Sequence, residues 1–210
     1  MPTIESARVL YAGADPIHDF EHVLRVYHMA ERLAAAEGAD LEIVRAAALL
    51  HDVDKAAPDE DRSQHHLASA EFARELLAKE GWPQDRIEAV LHCIRAHRFR
   101  DTSEPPATVE AQCLFDADKL DVLGAIGVAR TIGYAALAGE PAYAEPSEQF
   151  IANGEKEPSE PHSSYHEYLF KLSKAKGRLQ TRTAQALAEE RHQAMANFYA
   201  RLQAEVRGEK

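Results

Sequence analysis

The segment LEIVRAAALLHD, residues 41–52, constrains the fold more than any other part of the chain. Asp40 precedes it as a helix N-cap, and the run AAALL is apolar on every side of the helix that follows. A helix that is apolar all round needs neighbours on all sides, so the sequence predicts that this one is central and buried. The helix ends on His51 and Asp52, at the edge of a hydrophobic core.

The rest of the chain also reads as helical. Ala, Leu, Glu and Arg dominate, and strand-like alternation of β-branched and aromatic residues is almost absent. The sequence therefore predicts an all-α fold. The other helices are predicted at about 19–37, 65–79, 83–98, 107–138 (with a break near Gly124 and Gly127), 163–176 and 180–206.

A length of 210 residues predicts a single domain. We expect a core at about 15–138, a mobile or functional loop at about 139–162, and closing helices at about 163–207. The chain has no secretory leader pattern and no apolar window of about 20 residues, so we expect a cytoplasmic protein that does not span a membrane.

The charge balance limits the partners of the chain. Lys and Arg number 24 against 35 Asp and Glu, a net charge of −11. Because nucleic acids and anionic membranes are bound by basic patches, the sequence predicts neither partner. A small phosphorylated ligand in a local basic or metal pocket remains compatible with this charge. Two cysteines, Cys93 and Cys113, exclude a disulfide framework. The oligomeric state, a homo-oligomer included, stays open.

The dipeptide His51-Asp52 needs a partner, because a buried carboxylate beside an imidazole costs free energy unless it is paired. His22 lies on the first predicted helix, and Asp118 lies in the apolar surroundings of the fifth. A helical bundle can bring all four side chains to one point in its core. Two imidazoles and two carboxylates suit Mn, Fe, Co, Ni, Zn or hydrated Mg and leave coordination positions open, as in catalytic metal sites.

Several segments resemble the HD-domain superfamily of metal-dependent phosphohydrolases: HDFEHVLRV, AALLHDVDK, IRAHRFR, DADKLDVLGAIGVAR and EYLFKLSKAKGRLQTRTAQALAEERHQAM. The resemblance is closest to the single-domain bacterial YedJ-like branch and covers almost the whole chain. It implies a helical bundle with a metal site in its core and C-terminal capping helices. It also implies His22, His51, Asp52 and Asp118 as ligands of a divalent metal.

Asp116 and Asp121 are the alternatives to Asp118, which its ADKL context favours. Members of the superfamily with two metals use two further histidines, which the resemblance places at His65 and His97. A substrate contact is the alternative for both, and whether His65 or His66 faces the site stays open.

The residues around the ligands suggest how a phosphate is bound. Arg25 follows His22 by three residues and so shares its helix face, which predicts a phosphate contact. A surface ion pair with Glu21 or Glu31 is the alternative. Lys55 is a second candidate for phosphate binding, with plain solvation as its alternative.

Asp52 and Asp54 are the predicted catalytic residues, which orient or deprotonate the attacking water. His18 is a further pocket candidate because it lies one turn before His22. The resemblance adds Lys171, in the segment YLFKL, as a residue that reaches the pocket from the C-terminal helices.

The sequence thus predicts a metal-dependent phosphohydrolase that acts on a phosphomonoester or phosphodiester, such as a nucleotide or a similar small metabolite. One alternative is a di-iron oxygenase, which needs His65 and His97 as ligands. The other alternative is a non-catalytic, nucleotide-binding regulatory module.

Overall fold

The computed structural model describes residues 2–11, 20–53, 64–98 and 103–210, and these ranges contain helices and no strand. The all-α prediction is confirmed. The helices are α1 (Ile4–Leu10), α2 (Phe20–Glu37), α3 (Leu41–Leu50), α4 (His65–Lys79), α5 (Gln84–Ala96), α6 (Val109–Leu120), α7 (Gly124–Leu137), α8 (Glu148–Asn153), α9 (Ser164–Glu167), α10 (Ser173–Ala175) and α11 (Arg182–Val206).

The chain forms two compact units. The first comprises Met1–Lys119 and Gln180–Ala184, and the second comprises Leu120–Leu179 and Gln185–Lys210. Within the first unit, α3 contacts α1, α2, α4 and α5. The prediction that this helix is central is confirmed, since Ala46, Ala47 and Ala48 are fully buried.

The start of α3 is fixed by Asp40. Its carboxylate accepts hydrogen bonds from the backbone N–H groups of Glu42 and Ile43, as an N-cap does. The Arg86 guanidinium of α5 donates to the same carboxylate and lowers the pKa of Asp40. One aspartate therefore caps α3 and ties it to α5.

Three features of the chain differ from the sequence-based expectation. Helix α1 was not predicted; it is only seven residues long and begins in a capping box at Thr3. The expected loop at 139–162 contains α8, because Ser147 caps its start and Gly154 ends it in the left-handed region with φ of 80°. The expected continuous helix at 163–176 changes at Tyr168–Leu172 to a π-helical turn.

Within the described residues, no single helix is long and apolar enough to cross a membrane. Two consecutive helices, α6 and α7, satisfy the length and composition test only when they are taken together.

Gly127 is expected to be intolerant of any side chain. A Cβ there would lie 2.2 Å from the backbone oxygen of Val122 and 2.6 Å from Cε of Met195. Because backbone cannot yield as a side chain does, Gly127→Ala should lower the free energy of unfolding by about 1–3 kcal/mol.

Gly133 is the matched control on the same helix, because a Cβ there meets nothing within 4 Å. Gly133→Ala should raise the free energy of unfolding by about 0.5–1 kcal/mol through better helix propensity. Urea denaturation of the three proteins measures both changes, and equal stabilities of the two variants would contradict the packing at Gly127.

Candidate metal centre

Six side chains of the first unit, Asp52 among them, form one cluster. They come from the ends or inner faces of α2 to α6: His22, His51, Asp52, His65, His97 and Asp118. The two oxygens of Asp52 face opposite pairs of imidazoles. Oδ2 lies 3.7 Å from Nε2 of both His22 and His51, and Oδ1 lies 3.5 Å from Nε2 of both His65 and His97.

Two of the histidines are held by the same local device. His51 is the C-cap of α3 and His97 is the C-cap of α5. In each, Nδ1–H donates to a carbonyl three residues earlier, Ala48 at 2.8 Å and Ile94 at 2.5 Å. A carbonyl only accepts, so the proton is on Nδ1 and the lone pair of Nε2 points into the cluster. This is how metal-binding histidines are commonly oriented.

The donor set fits a divalent cation. Nε2 of His51 and Oδ1 of Asp52 are buried and have no hydrogen-bond partner, a costly state for polar atoms that a metal ion would relieve. Two groups, His22–His51–Asp52 and Asp52–His65–His97, each have ligand atoms within 4.8 Å of one another. Imidazole and carboxylate together suit several transition metals, so the geometry leaves the identity of the metal open.

The three candidate aspartates near the end of α6 have different partners. Oδ1 of Asp118 lies 3.5 Å from Nε2 of His22, on the inner side of the cluster. Asp116 accepts hydrogen bonds from the backbone N–H groups of Gln180 and Thr181 and from the hydroxyl of Thr181. Asp121 belongs to the second unit and pairs with Arg130.

Burial and charge keep the cluster in the protonation state that metals require. Burial lowers the pKa of His51 from 6.5 to about 4, so its imidazole is neutral at pH 7. Burial raises the pKa of Asp52, but the imidazoles of His51, His97 and His22 outweigh it and bring that pKa well below its ordinary value. The pKa of Asp118 is lowered too: burial opposes this, and the neighbouring ammonium of Lys119 is the largest cause of the lowering. Metal ligands must be deprotonated, and these shifts favour that state for His51, Asp52 and Asp118 at pH 7.

The cluster has a closed side and an open side. The side chains of His22, His51 and His97 are at most 3% exposed, whereas those of Asp118, Asp52 and His65 are 15%, 19% and 27% exposed. The exposed edge of the cluster is therefore formed by the two carboxylates and His65. His66, the alternative to His65, is buried.

The structure describes two of the five remaining predicted site residues. Arg25 is half-buried on α2, one turn after His22. Lys171 lies in the second unit, in the π-helical turn, where its Nζ is 2.7 Å from Glu167. His18, Asp54 and Lys55 lie outside the described residues.

Lys119 is a residue of the cluster that the sequence did not reveal. Its Nζ lies 2.5 Å from Oδ2 of Asp118, and the residue is buried. Adjacent residues on a helix point in different directions, so the spacing of the two residues predicts no contact. The sequence shows only a lysine among three aspartates, in the run LFDADKLD.

The profile of the HD domain matches residues 19–123, which contain all six clustered side chains. The chain belongs to the HD domain family. HD domains bind divalent metal ions, and the histidine–aspartate cluster is the part of this HD domain able to hold one.

Two relatives match nearly the whole chain. The uncharacterized protein YpgQ of Bacillus subtilis is 34% identical over 195 residues, which are 91% of this chain and 85% of YpgQ. Its crystal structure in complex with ADP has a TM-score of 0.74 at 29% identity and covers 97% of this chain and 98% of that one. An HD-superfamily hydrolase from Bacillus thuringiensis has a TM-score of 0.73 at 27% identity, with 97% and 94% covered.

A third relative matches a smaller region. Ribonuclease Y of Chloroflexus aurantiacus is 38% identical over 100 residues, which are 48% of this chain but 18% of that protein. Together the comparisons place this HD domain among the HD-superfamily hydrolases.

The metal-free protein should lose stability in acid because of His51. Unfolded His51 takes a proton near pH 6.5, whereas the folded residue takes it only near pH 4. The unfolded state therefore binds more protons between these values, and the free energy of unfolding falls as the pH falls through that window. The loss from this residue amounts to at most about 3 kcal/mol.

Urea denaturation after chelation of metals, at about pH 7 and about pH 5, measures this slope. His51→Gln cannot titrate, so the variant should lose this part of the pH dependence. An unchanged slope in His51→Gln would show that the burial of His51 does not cause it.

Proposed function

We propose that this HD domain is a metal-dependent phosphohydrolase that acts on a nucleotide or a similar small phosphorylated metabolite. The observation that carries the proposal is the pair of buried, unpartnered atoms, Nε2 of His51 and Oδ1 of Asp52, inside a ring of imidazoles and carboxylates. Such a donor set with a solvent-exposed edge is suited to a metal that keeps positions for water and substrate.

The proposed ligands of the first ion are His22, His51, Asp52 and Asp118. Asp52 also faces His65 and His97 with its other oxygen, so these three residues are the proposed ligands of a second ion. Asp52 would then help to hold both ions.

A divalent ion in this cluster would lower the pKa of a bound water toward ~7 and withdraw charge from a phosphate oxygen. The protein supplies the remaining functions. Asp52, partly exposed and ionised, orients or deprotonates the attacking water. Arg25 lies one turn from His22 and is the proposed cation for the phosphate oxygens. Asp54 and Lys55 follow the His-Asp pair by two and three residues and keep their predicted roles as base and phosphate ligand.

Three observations support a small phosphorylated substrate. YpgQ, which matches the chain over nearly its full length, was crystallised with ADP. The open edge of the cluster is formed by side chains that are only 15–27% exposed, which suits a small group better than a broad surface. The net charge of −11 opposes a polyanion, whereas a bound cation reverses the field locally.

His51→Ala and Asp52→Ala should each abolish metal-dependent phosphate release while the fold survives. We expect the loss in kcat/KM to exceed the ~10–100-fold cost of removing a mere supporting partner of a metal ligand. A screen of nucleotides and sugar phosphates with Mn, Mg, Co, Ni, Zn and Fe measures the activity, and circular dichroism checks the fold.

His28→Ala is the matched control, because His28 lies on the same helix as His22 but is exposed and pairs with Glu31. It should retain full activity. Wild-type turnover in His51→Ala would place the site elsewhere. Nucleotide binding without any turnover would favour the regulatory module. One relative is a ribonuclease, so an RNA oligonucleotide is included in the screen, and we expect no cleavage of it.

The Asp52–His65–His97 group favours a second candidate function, a di-iron oxygenase. Both candidate functions use two metal ions per chain, but one releases phosphate and the other consumes oxygen. Isothermal titration with Mn²⁺ should give two ions per chain, and His97→Ala should reduce this to one. Two tightly bound irons together with oxygen uptake would favour the oxygenase, and phosphate release without oxygen uptake would exclude it. A single ion in both proteins would contradict the second site.

A further inference from the structure

Lys119 stands in an unusual place for a lysine. It is 8% exposed, near the end of α6, and its ammonium lies 2.5 Å from Oδ2 of Asp118. The same nitrogen lies 5.4 Å from the centre of the Phe115 ring, one turn earlier, where a cation–π contact holds it in place. Burying a lysine costs free energy unless its ammonium is paired, and here the Asp118 carboxylate is the partner.

The two oxygens of Asp118 have different partners. Oδ1 faces Nε2 of His22 at 3.5 Å, on the side of the metal centre. Oδ2 is taken by Lys119. A free carboxylate can bind a metal ion through one oxygen or both, and the second mode uses a coordination position that water or substrate would otherwise occupy.

We propose that Lys119 is a positioning residue that reserves Oδ2 of Asp118, so that Asp118 offers only Oδ1 to the metal and one coordination position stays open. This inference rests on the proposed role of Asp118 as a metal ligand. It assigns to Lys119 no contact with substrate.

A second consequence concerns charge. Asp52 and Asp118 bring two negative charges to the cluster, and Lys119 cancels one of them. The centre therefore holds its cation less tightly than two unopposed carboxylates would, and the loaded centre is more positive toward a phosphate. Lys119 thus lowers the affinity of the centre for the metal and leaves an open coordination position that attracts anions.

The test uses the full chain loaded with Mn²⁺ and compares Lys119→Met with the wild type. Met is unbranched like Lys, is one atom shorter and removes the charge. Mn²⁺ should bind about tenfold or more tightly, since a like charge near the ion has gone. Water-proton relaxation should show about one fewer water on Mn²⁺, because Asp118 can now bind through both oxygens.

Two further variants separate this role from structural effects. Lys119→Arg restores a cation beside Oδ2 and should restore the wild-type water number. Lys79→Met removes an exposed lysine of α4, with the same change in net charge, and should alter neither quantity. If Lys119→Met does not fold, as judged by circular dichroism, Lys119→Gln takes its place with the same expectation.

An unchanged Mn²⁺ affinity and water number in Lys119→Met would overturn the inference, as would an Arg variant that behaves like the Met variant. Asp118→Ala distinguishes this from failure of the proposed function. If Asp118→Ala loses one Mn²⁺ while Lys119→Met changes nothing, only the role of Lys119 is wrong. If Asp118→Ala binds Mn²⁺ like the wild type, Asp118 is no ligand, and the proposed ligand set fails together with the role of Lys119.

Discussion

The metal centre of the first unit is built around the contacts between the Asp52 carboxylate and its neighbouring imidazoles. The carboxylate lies among four imidazoles, two for each oxygen, and one of its oxygens is buried without a hydrogen-bond partner. An arrangement of this kind is costly for a protein to bury and cannot be relieved by repacking apolar groups. Helices α2, α3, α4 and α5 bring their histidines and Asp52 together at this one point, and the apolar surface of α3 places that helix at their centre.

Helix ends, rather than loops, fix the positions of two histidines in this cluster. An α-helix leaves its last carbonyls without intrahelical partners, and His51 and His97 each use one of them as an acceptor for Nδ1–H. The same bond satisfies the helix and aims the imidazole. Both histidines are thereby positioned by rigid elements, which hold a site more closely than flexible connections do.

The sequence was informative where local patterns decide the structure and silent where distant contacts decide it. The apolar run before His51 predicted the central helix, and Asp40 predicted its start, because burial and capping are readable within a few residues. The bond between Asp116 and Thr181 joins residues 65 positions apart, and no pattern in either segment indicates it. The contact between Lys119 and Asp118 was not predicted because adjacent residues on a helix seldom meet. The choice between His65 and His66 depends on where α4 begins, to within one residue, and periodicity does not resolve helix ends that finely.

The hydrogen bonds between Asp116 and residues 180–181 also determine which part of the first unit forms last during synthesis. The HD match ends at residue 123, yet the first unit takes in Gln180–Ala184. Asp116 is buried, and burial raises the pKa of its carboxyl. The described donors to that carboxyl, in Gln180 and Thr181, leave the ribosome only after the whole second segment, 120–179, has been made. The first unit is therefore completed by a late, long-range closure, and in the nascent chain Asp116 lacks these donors until residues 180 and 181 have emerged.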